Sequence, residues 1–467
     1  MKRFLSLILC TALVLFAALC SACTGNGHSP APDEGESAQV GETDTENGDE
    51  KVIRLVTDLG RNANFITGAE DDTDIVQYAL DHALDYLGGL PDGYRVEVEV
   101  LPLDEADFQS RLTRLRAEIM AGQGPDIYVL STDDLFWMES QDRLFPDPQK
   151  AMTDGYFLQL DDYVENAQFM KLEEMNPVVM DAGCTPEGRF LLPLRYTFGF
   201  AWINEPVTDT GGSWDDVVQG DDETLAMGYA EAAYMHLHSI FKDTVDHKTR
   251  SLLFSEEELY ESIAETLRLA GIWRESIRRD TIGGTWVNVF SLLGGENNLG
   301  YIWGADTKDT AAYIPLRNKE GGVPARVTGY VAVNRNTPYP EEAFHVVDVI
   351  MSEEFQSGET FWEVPEGYKG GRSAIAVLSW STGVPVYNDL MSESRPVNYE
   401  RYIEDEMFPV YCEMRDKITE ARIMNTVDRA IDHTYLRAWI DGMTPGEELK
   451  KFVSQQYNKM VLMAGEM

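Results

Sequence analysis

The stretch from residue 52 to residue 130 alternates between two periodicities, and that alternation restricts the possible fold more than any other part of the chain. Residues 52–59 (VIRLVTDL) read as a strand. Residues 73–87 place Val76, Leu80, Ala83, Leu84 and Leu87 at helical spacing, and Gly88-Gly89 with Pro91-Asp92-Gly93 end that run. Residues 94–103 alternate, with Val96, Val98 and Val100 on one face, and predict a second strand. Residues 107–121 carry a stripe of Phe108, Leu112, Leu115 and Ile119 and predict a second helix. Gly122-Gln123-Gly124-Pro125 stops it, and residues 126–130 (DIYVL) form a short buried strand. The order β-α-β-α-β predicts an α/β fold, a parallel sheet with helices on its faces. Such sheets take ligands at the carboxyl ends of their strands. Asp58 lies at the first of these ends, and Asp133, Asp134 and Trp137 lie at the other, as candidate ligand contacts.

The rest of the chain is too long for one ordinary domain. Residues 51–467 suit two, and 43% apolar with 10% aromatic residues is enough for two cores. Ahead of them, Met-Lys-Arg opens an apolar run over residues 4–19, followed by Leu19-Cys20-Ser21-Ala22-Cys23. The two cations, the short apolar run and the small residues read as a signal peptide over residues 1–22. The string resembles a bacterial lipoprotein signal, which implies that Cys23 carries lipid; its Cys20 stands where the usual motif has Leu. Residues 24–50 hold eight acids, no Lys or Arg and no aromatic residue. Such a segment cannot bury enough apolar surface to offset the entropy of ordering it, so residues 23–50 read as a lipidated Cys and a disordered acidic linker. The formal net charge of −42 repels nucleic acid and anionic lipid surfaces, which excludes nucleic-acid partners. Only Cys184 and Cys412 remain in the body, and nothing in their surroundings decides between a disulfide and two thiols.

Four strings occur in an order that resembles the extracellular solute-binding proteins of ABC importers, the large carbohydrate-binding, maltodextrin-binding-like group in particular. The first is RLTRLRAEIMAGQGPDIYVL at residues 111–130. The second is Glu187-Gly188-Arg189-Phe190-Leu191-Leu192-Pro193, continuing through Tyr196 to Asn204. The third is Gly329-Tyr330-Val331-Ala332-Val333-Asn334 with PYPEEAFHVVDVIMSEEFQ. The fourth is YLRAWIDGMTPGEELKKFVSQQYNKM at residues 435–460. The resemblance implies a two-lobe periplasmic-binding-protein-like fold, each lobe a mostly parallel sheet flanked by helices. Lobe one would hold residues 51–200 plus 326–366, and lobe two residues 201–325 plus 367–467. A hinge would lie near Phe198 to Asn204 and Ala325 to Gly329. In the maltodextrin-binding branch a Trp and an Asp after the Gly-Pro-Asp-Ile string touch the sugar. The Asp matches Asp133, whereas Leu130 stands at the Trp position.

Motifs for chemistry are sparse. No His-Glu-x-x-His, no Gly-x-Ser-x-Gly and no Gly-Lys dipeptide occurs. His236 and His238 point about 200° apart on a helix and do not share a metal easily. The strings AEDDTD and QGDDET lack the register of a calcium loop. No metal and no cofactor is expected. Tryptophan offers a flat apolar plate and one N–H donor, which suits the C–H face of a sugar ring. Trp286 and Trp303 sit beside glycines and polar residues, and Trp362 lies near Gly370-Gly371-Arg372-Ser373. These add Trp286, Trp303, Trp362 and Arg372 to the candidate ligand contacts, whereas Trp439 in its helical pattern reads as core.

The expectation is a non-enzymatic, monomeric binding protein, tethered by lipid to the outer face of the cytoplasmic membrane. It would capture a small molecule, a sugar or oligosaccharide, and hand it to ABC permease subunits. A surface glycosidase or lyase using paired carboxylates is the competing reading. A sensor or adhesin module is the third.

Overall fold

A computed structural model describes residues 50–58, 73–102, 105–132, 143–203, 208–233, 237–278, 287–291, 312–357, 384–390 and 408–466. All of them belong to the unit spanning Asp49–Met467. The elements used below are, in order, β1 (Lys51–Thr57), α1 (Thr73–Tyr86), β2 (Tyr94–Val100), α2 (Glu105–Met120), β3 (Ile127–Ser131) and α3 (Pro148–Thr153). They continue with β4 (Leu191–Ile203), α4 (Glu223–Ala232), β5 (Val245–Asp246), β6 (Ser251–Leu252), α5 (Glu256–Arg278), β7 (Val287–Ser291) and β8 (Ala312–Pro315). The last are β9 (Pro324–Val333), α6 (Pro340–Ile350), β10 (Val384–Pro385), α7 (Phe408–Arg415), β11 (Glu420–Ile423), α8 (Thr426–Ile440) and α9 (Glu447–Glu466).

The opening β-α-β-α-β unit is present as read. β1 pairs in parallel with β2 and with β3, and each strand begins or ends within a few residues of its expected bounds. The helical stripes are buried: Val76, Leu80, Ala83 and Leu84 on α1, and Phe108, Leu112, Leu115 and Ile119 on α2. Each of the Val, Leu, Ile and Phe side chains among them contributes roughly 1.5–3 kcal/mol by leaving water. Gly124 has φ +113, a conformation that side chains rarely adopt, and an added Cβ would lie 3.0 Å from Ile119. The helix itself is closed by Gly122, φ +75, whose N–H reaches Ile119 O at 2.9 Å, and Gly124 then turns the chain so that the next strand can start at once.

Two of the recognised strings are tied to each other. The Asp126 carboxylate accepts the Arg54 N–H at 2.8 Å and the Thr337 hydroxyl at 2.6 Å. Asn334, which closes the GYVAVN string, donates its side-chain amide to Pro125 O at 2.8 Å, and its N–H to Asp126 O at 2.8 Å. The Gly-Pro-Asp turn and the Val-Asn strand end are therefore one hydrogen-bonded knot. Both partners are buried, so each bond replaces one that water would otherwise supply.

The sheet runs β8-β4-β9-β3-β1-β2, with β10 and β7 on β4 and β11 on β9. β1, β2 and β3 form its parallel block, and β9 lies antiparallel to β3 and β4. Every residue of β9 is buried, as its central place requires. Helices flank the sheet.

Buried side chains gather into two clusters. The first takes β1–β3, α1 and α2, residues 144–200, residues 323–355, and also Val384, Val386, Tyr387, Leu390, Tyr411, Met414, Ile418 and Ile423. The second takes Trp214 through Leu269, Ile314 and Leu316, and α8 and α9 from Val427 to Ala464. The chain passes between them after Phe200, between Leu316 and Val323, and between Ile423 and Val427. β4 continues through the first passage: its front half pairs with β9, and its rear half with β7 and β8.

Candidate functional site

The carboxyl ends of β1 and β3 meet the passages between the two cores. At the end of β1, Asp58 is buried and one carboxylate oxygen accepts the Ser131 N–H at 2.6 Å. This ties the ends of the two strands side by side. The antiparallel β3–β9 ladder continues one rung past β3, where the Thr328 carbonyl accepts the Thr132 N–H at 2.9 Å. The Thr132 hydroxyl donates to Val327 O. From the second core, Arg429 of α8 donates to Thr132 O at 3.2 Å. Thr132, at the end of β3, is thus held from three directions.

Behind these strand ends lies a polar seam inside otherwise apolar strands. The register sets Thr197 of β4, Arg326 of β9 and Arg422 of β11 opposite one another across three strands. All three side chains are buried, as are Arg195, Thr328 and Arg429. Buried guanidinium groups need partners. Arg422 donates to His238 O at 2.8 Å and Lys242 O at 2.9 Å, and stands 3.2 Å from the fully buried Asp428 carboxylate. Asp428 also accepts from the Thr244 hydroxyl at 2.7 Å and the Asn425 N–H at 3.1 Å. Arg422 therefore joins β11 of the first core to the segment 238–242 of the second.

His238 and Asp432 complete the seam. The imidazole Nδ1 lies 2.7 Å from one Asp432 oxygen, and the His238 N–H donates to the other at 2.9 Å. Burial pushes the imidazole well below its usual range; the Asp428 carboxylate opposes this, and Arg422, Arg326 and Arg429 add to it. Burial also pushes the Asp432 carboxyl up to about 7. Nδ1 and the carboxyl thus stand at hydrogen-bonding distance with both groups shifted toward their neutral forms. Ser239 Oγ is 3.3 Å from Nε2, which puts Asp, His and Ser in the order of a hydrolytic triad. The His238 side chain is 0% exposed, however, so no substrate reaches it in this conformation.

Of the expected site residues, Asp58 is described and stands at the strand end. Asp133, Asp134, Trp137, Trp286, Trp303, Trp362 and Arg372 lie outside the described residues, as does Cys23. Trp214 is core, and Trp439 packs against the second cluster. Cys184 and Cys412 are free, and burial raises both thiols. Among the described residues no group of side chains could hold a metal ion, and no helix is long and apolar enough to cross a membrane. Sequence reasoning missed the seam of Arg195, Arg326, Arg422, Arg429, His238 and Asp432. A signal for it exists: Arg195 sits within LLPLRYTFGFAWI and Arg326 within PARVTGYVAV, cations in runs too apolar to be surface.

No family model matches the chain, and no curated protein matches it in sequence. Solved structures do match in fold. A family 1 extracellular solute-binding protein from Alicyclobacillus acidocaldarius is 12% identical, with a TM-score of 0.51, over 90% of this chain and 100% of that one. A de novo designed cysteine esterase, ECH19, is 11% identical, with a TM-score of 0.50, over 90% of this chain and 99% of that one. One match binds and the other catalyses by name, so the likeness speaks to architecture alone. The chain shares its fold with the extracellular solute-binding protein from Alicyclobacillus acidocaldarius.

Proposed function

We propose that this chain is a lipid-anchored extracellular solute-binding protein that captures a carbohydrate and delivers it to an ABC importer. The observation that carries the reading is the pair of hydrophobic cores joined by three passages, with the β1 and β3 ends gathered at the junction. Two bodies joined this way can close on a ligand by bending at the passages. The sequence resemblance supplies the ligand class and the importer, and the Cys23 string supplies the anchor. Lobe one, on this reading, takes residues 51–200 and 323–357. It also takes 384–390 and 408–423, which join the first core rather than lobe two. Asp58, Asp133, Asp134, Trp137, Trp286, Trp303, Trp362 and Arg372 remain the proposed ligand contacts, and the permease subunits and the monomeric state belong to the same proposal.

The mechanism is capture without chemistry. A ligand that prefers the closed form stabilises it by mass action, by about 2.7 kcal/mol at a hundredfold excess over the dissociation constant. The test is a thermal-shift screen of sugars, oligosaccharides, peptides and polyols on the mature chain. A hit should raise the melting temperature, shrink the radius of gyration, and be recovered chemically intact after hours of incubation. Consumption of the hit at a rate proportional to protein concentration would replace the binder with the paired-carboxylate enzyme.

A further inference from the structure

A second set of contacts joins the two cores beside the strand passages, and a histidine stands at its centre. The loop leading into α3 belongs to the first core, through Leu144, Phe145, Ala151 and Met152. The turn between β5 and β6 belongs to the second, through Val245. His247, on that turn, places Nδ1 2.7 Å from Asp147 Oδ2 and Nε2 2.9 Å from Gln149 Oε1. Both ring nitrogens thus face oxygen acceptors on the other core. The Asp147 contact is a close ion pair rather than a well-directed hydrogen bond. Next to it, Pro146 O accepts from the Thr426 hydroxyl at 3.2 Å and from Arg429 at 3.4 Å, both on α8 of the second core.

A neutral imidazole has one N–H and cannot donate to two acceptors; an imidazolium can. We propose that His247 is a proton-operated latch between the two core bodies. As imidazolium it spans Asp147 and Gln149; on losing its proton it keeps a single N–H for the two acceptors and loses its charge attraction to Asp147, and the angle between the bodies is freed to change. The surroundings favour the charged form. Asp147 faces the ring from the loop before α3, Asp428 from α8, Asp243 from the segment before β5, and Asp246 from the same turn. Of the cations nearby, Arg422 is engaged on Asp428 and Lys150 on Asp154, and Arg429 donates to Pro146 O and Thr132 O. The His247 value is accordingly raised from its ordinary 6.5, first by its contact with Asp147. A raised value means that the latch is fully engaged below about pH 6.5 and is released as pH climbs through the higher, folded-state value. The inference stands on the junction itself and does not depend on which solute the protein takes.

The test uses the full mature chain without ligand. His247 is assigned in a proton–carbon NMR titration by its loss in His247→Gln, and the radius of gyration is followed by solution scattering from pH 5.5 to pH 9. The expected result is a His247 midpoint above the ordinary value, lowered by about one pH unit in Asp147→Asn. The radius of gyration should change with the same midpoint in the wild-type chain and stay flat in both variants. Asp147→Asn keeps an oxygen for the Lys150 N–H that caps α3, so that variant retains the local fold. A midpoint at or below the ordinary value overturns the latch. So does a raised midpoint with an unchanged radius, which would make the contact a local ion pair only. A radius change that persists in His247→Gln overturns it as well.

Discussion

Arg422→Met tests whether the seam between the cores is held by this guanidinium. The side chain is 11% exposed and makes two charge-assisted bonds, to His238 O and Lys242 O, while facing an Asp428 carboxylate that is 0% exposed. Methionine fills much of the same volume but satisfies none of these groups. Truncating one member of a buried pair typically costs about 3–5 kcal/mol, because the partner charge is stranded. The two carbonyls lie at the same seam and lose their donors too. We expect a loss of about 3–5 kcal/mol in urea denaturation, not a larger sum, since these groups act as one network. The stranded charge is the dominant part, so Asp428→Asn should cost less in the Arg422→Met background than in the wild type. The difference should be about 1–3 kcal/mol. A loss under about 1 kcal/mol for Arg422→Met, or equal costs of Asp428→Asn in both backgrounds, would refute the reasoning.

Two further outcomes follow from the same physics. Burial pushes Asp432 up to about 7, so its contribution is present below the ordinary carboxylate value and is lost as pH rises from about 4 through about 7. Asp432→Asn, which does not ionise, should gain on the wild type across that window and not beyond it; a pH-independent difference in urea midpoints would contradict this. Cys23→Ala should abolish incorporation of labelled palmitate, and undiminished labelling would remove the anchor from the proposed function.

The opening β-α-β-α-β unit was legible because its two helices and its second strand are each amphipathic by themselves. The α1 and α2 stripes and the alternation of β2 name their buried faces without knowledge of any partner. The Gly122–Asp126 turn was legible for a related reason: a positive φ at Gly124 and a proline are local properties of the chain. The bond from Asn334 to Pro125 spans 209 residues, and nothing local announces it. The candidate site was legible only at Asp58, whose position at a strand end follows from the β-α-β order.

What the sequence by itself determined, then, is the opening run of elements over residues 52–130, their parallel order, and the acidic character of the whole. What only the tertiary structure decided is who meets whom at the junction. Arg326 and Arg422 lie on strands whose pairing is fixed by register between distant segments. His247 and Asp147 are 100 residues apart and meet only because two separately formed cores dock loop against turn. A charge in an apolar strand signals that a partner must exist, since burying it alone is too costly. The identity of that partner depends on how strands and cores are brought together, and that information is global rather than local.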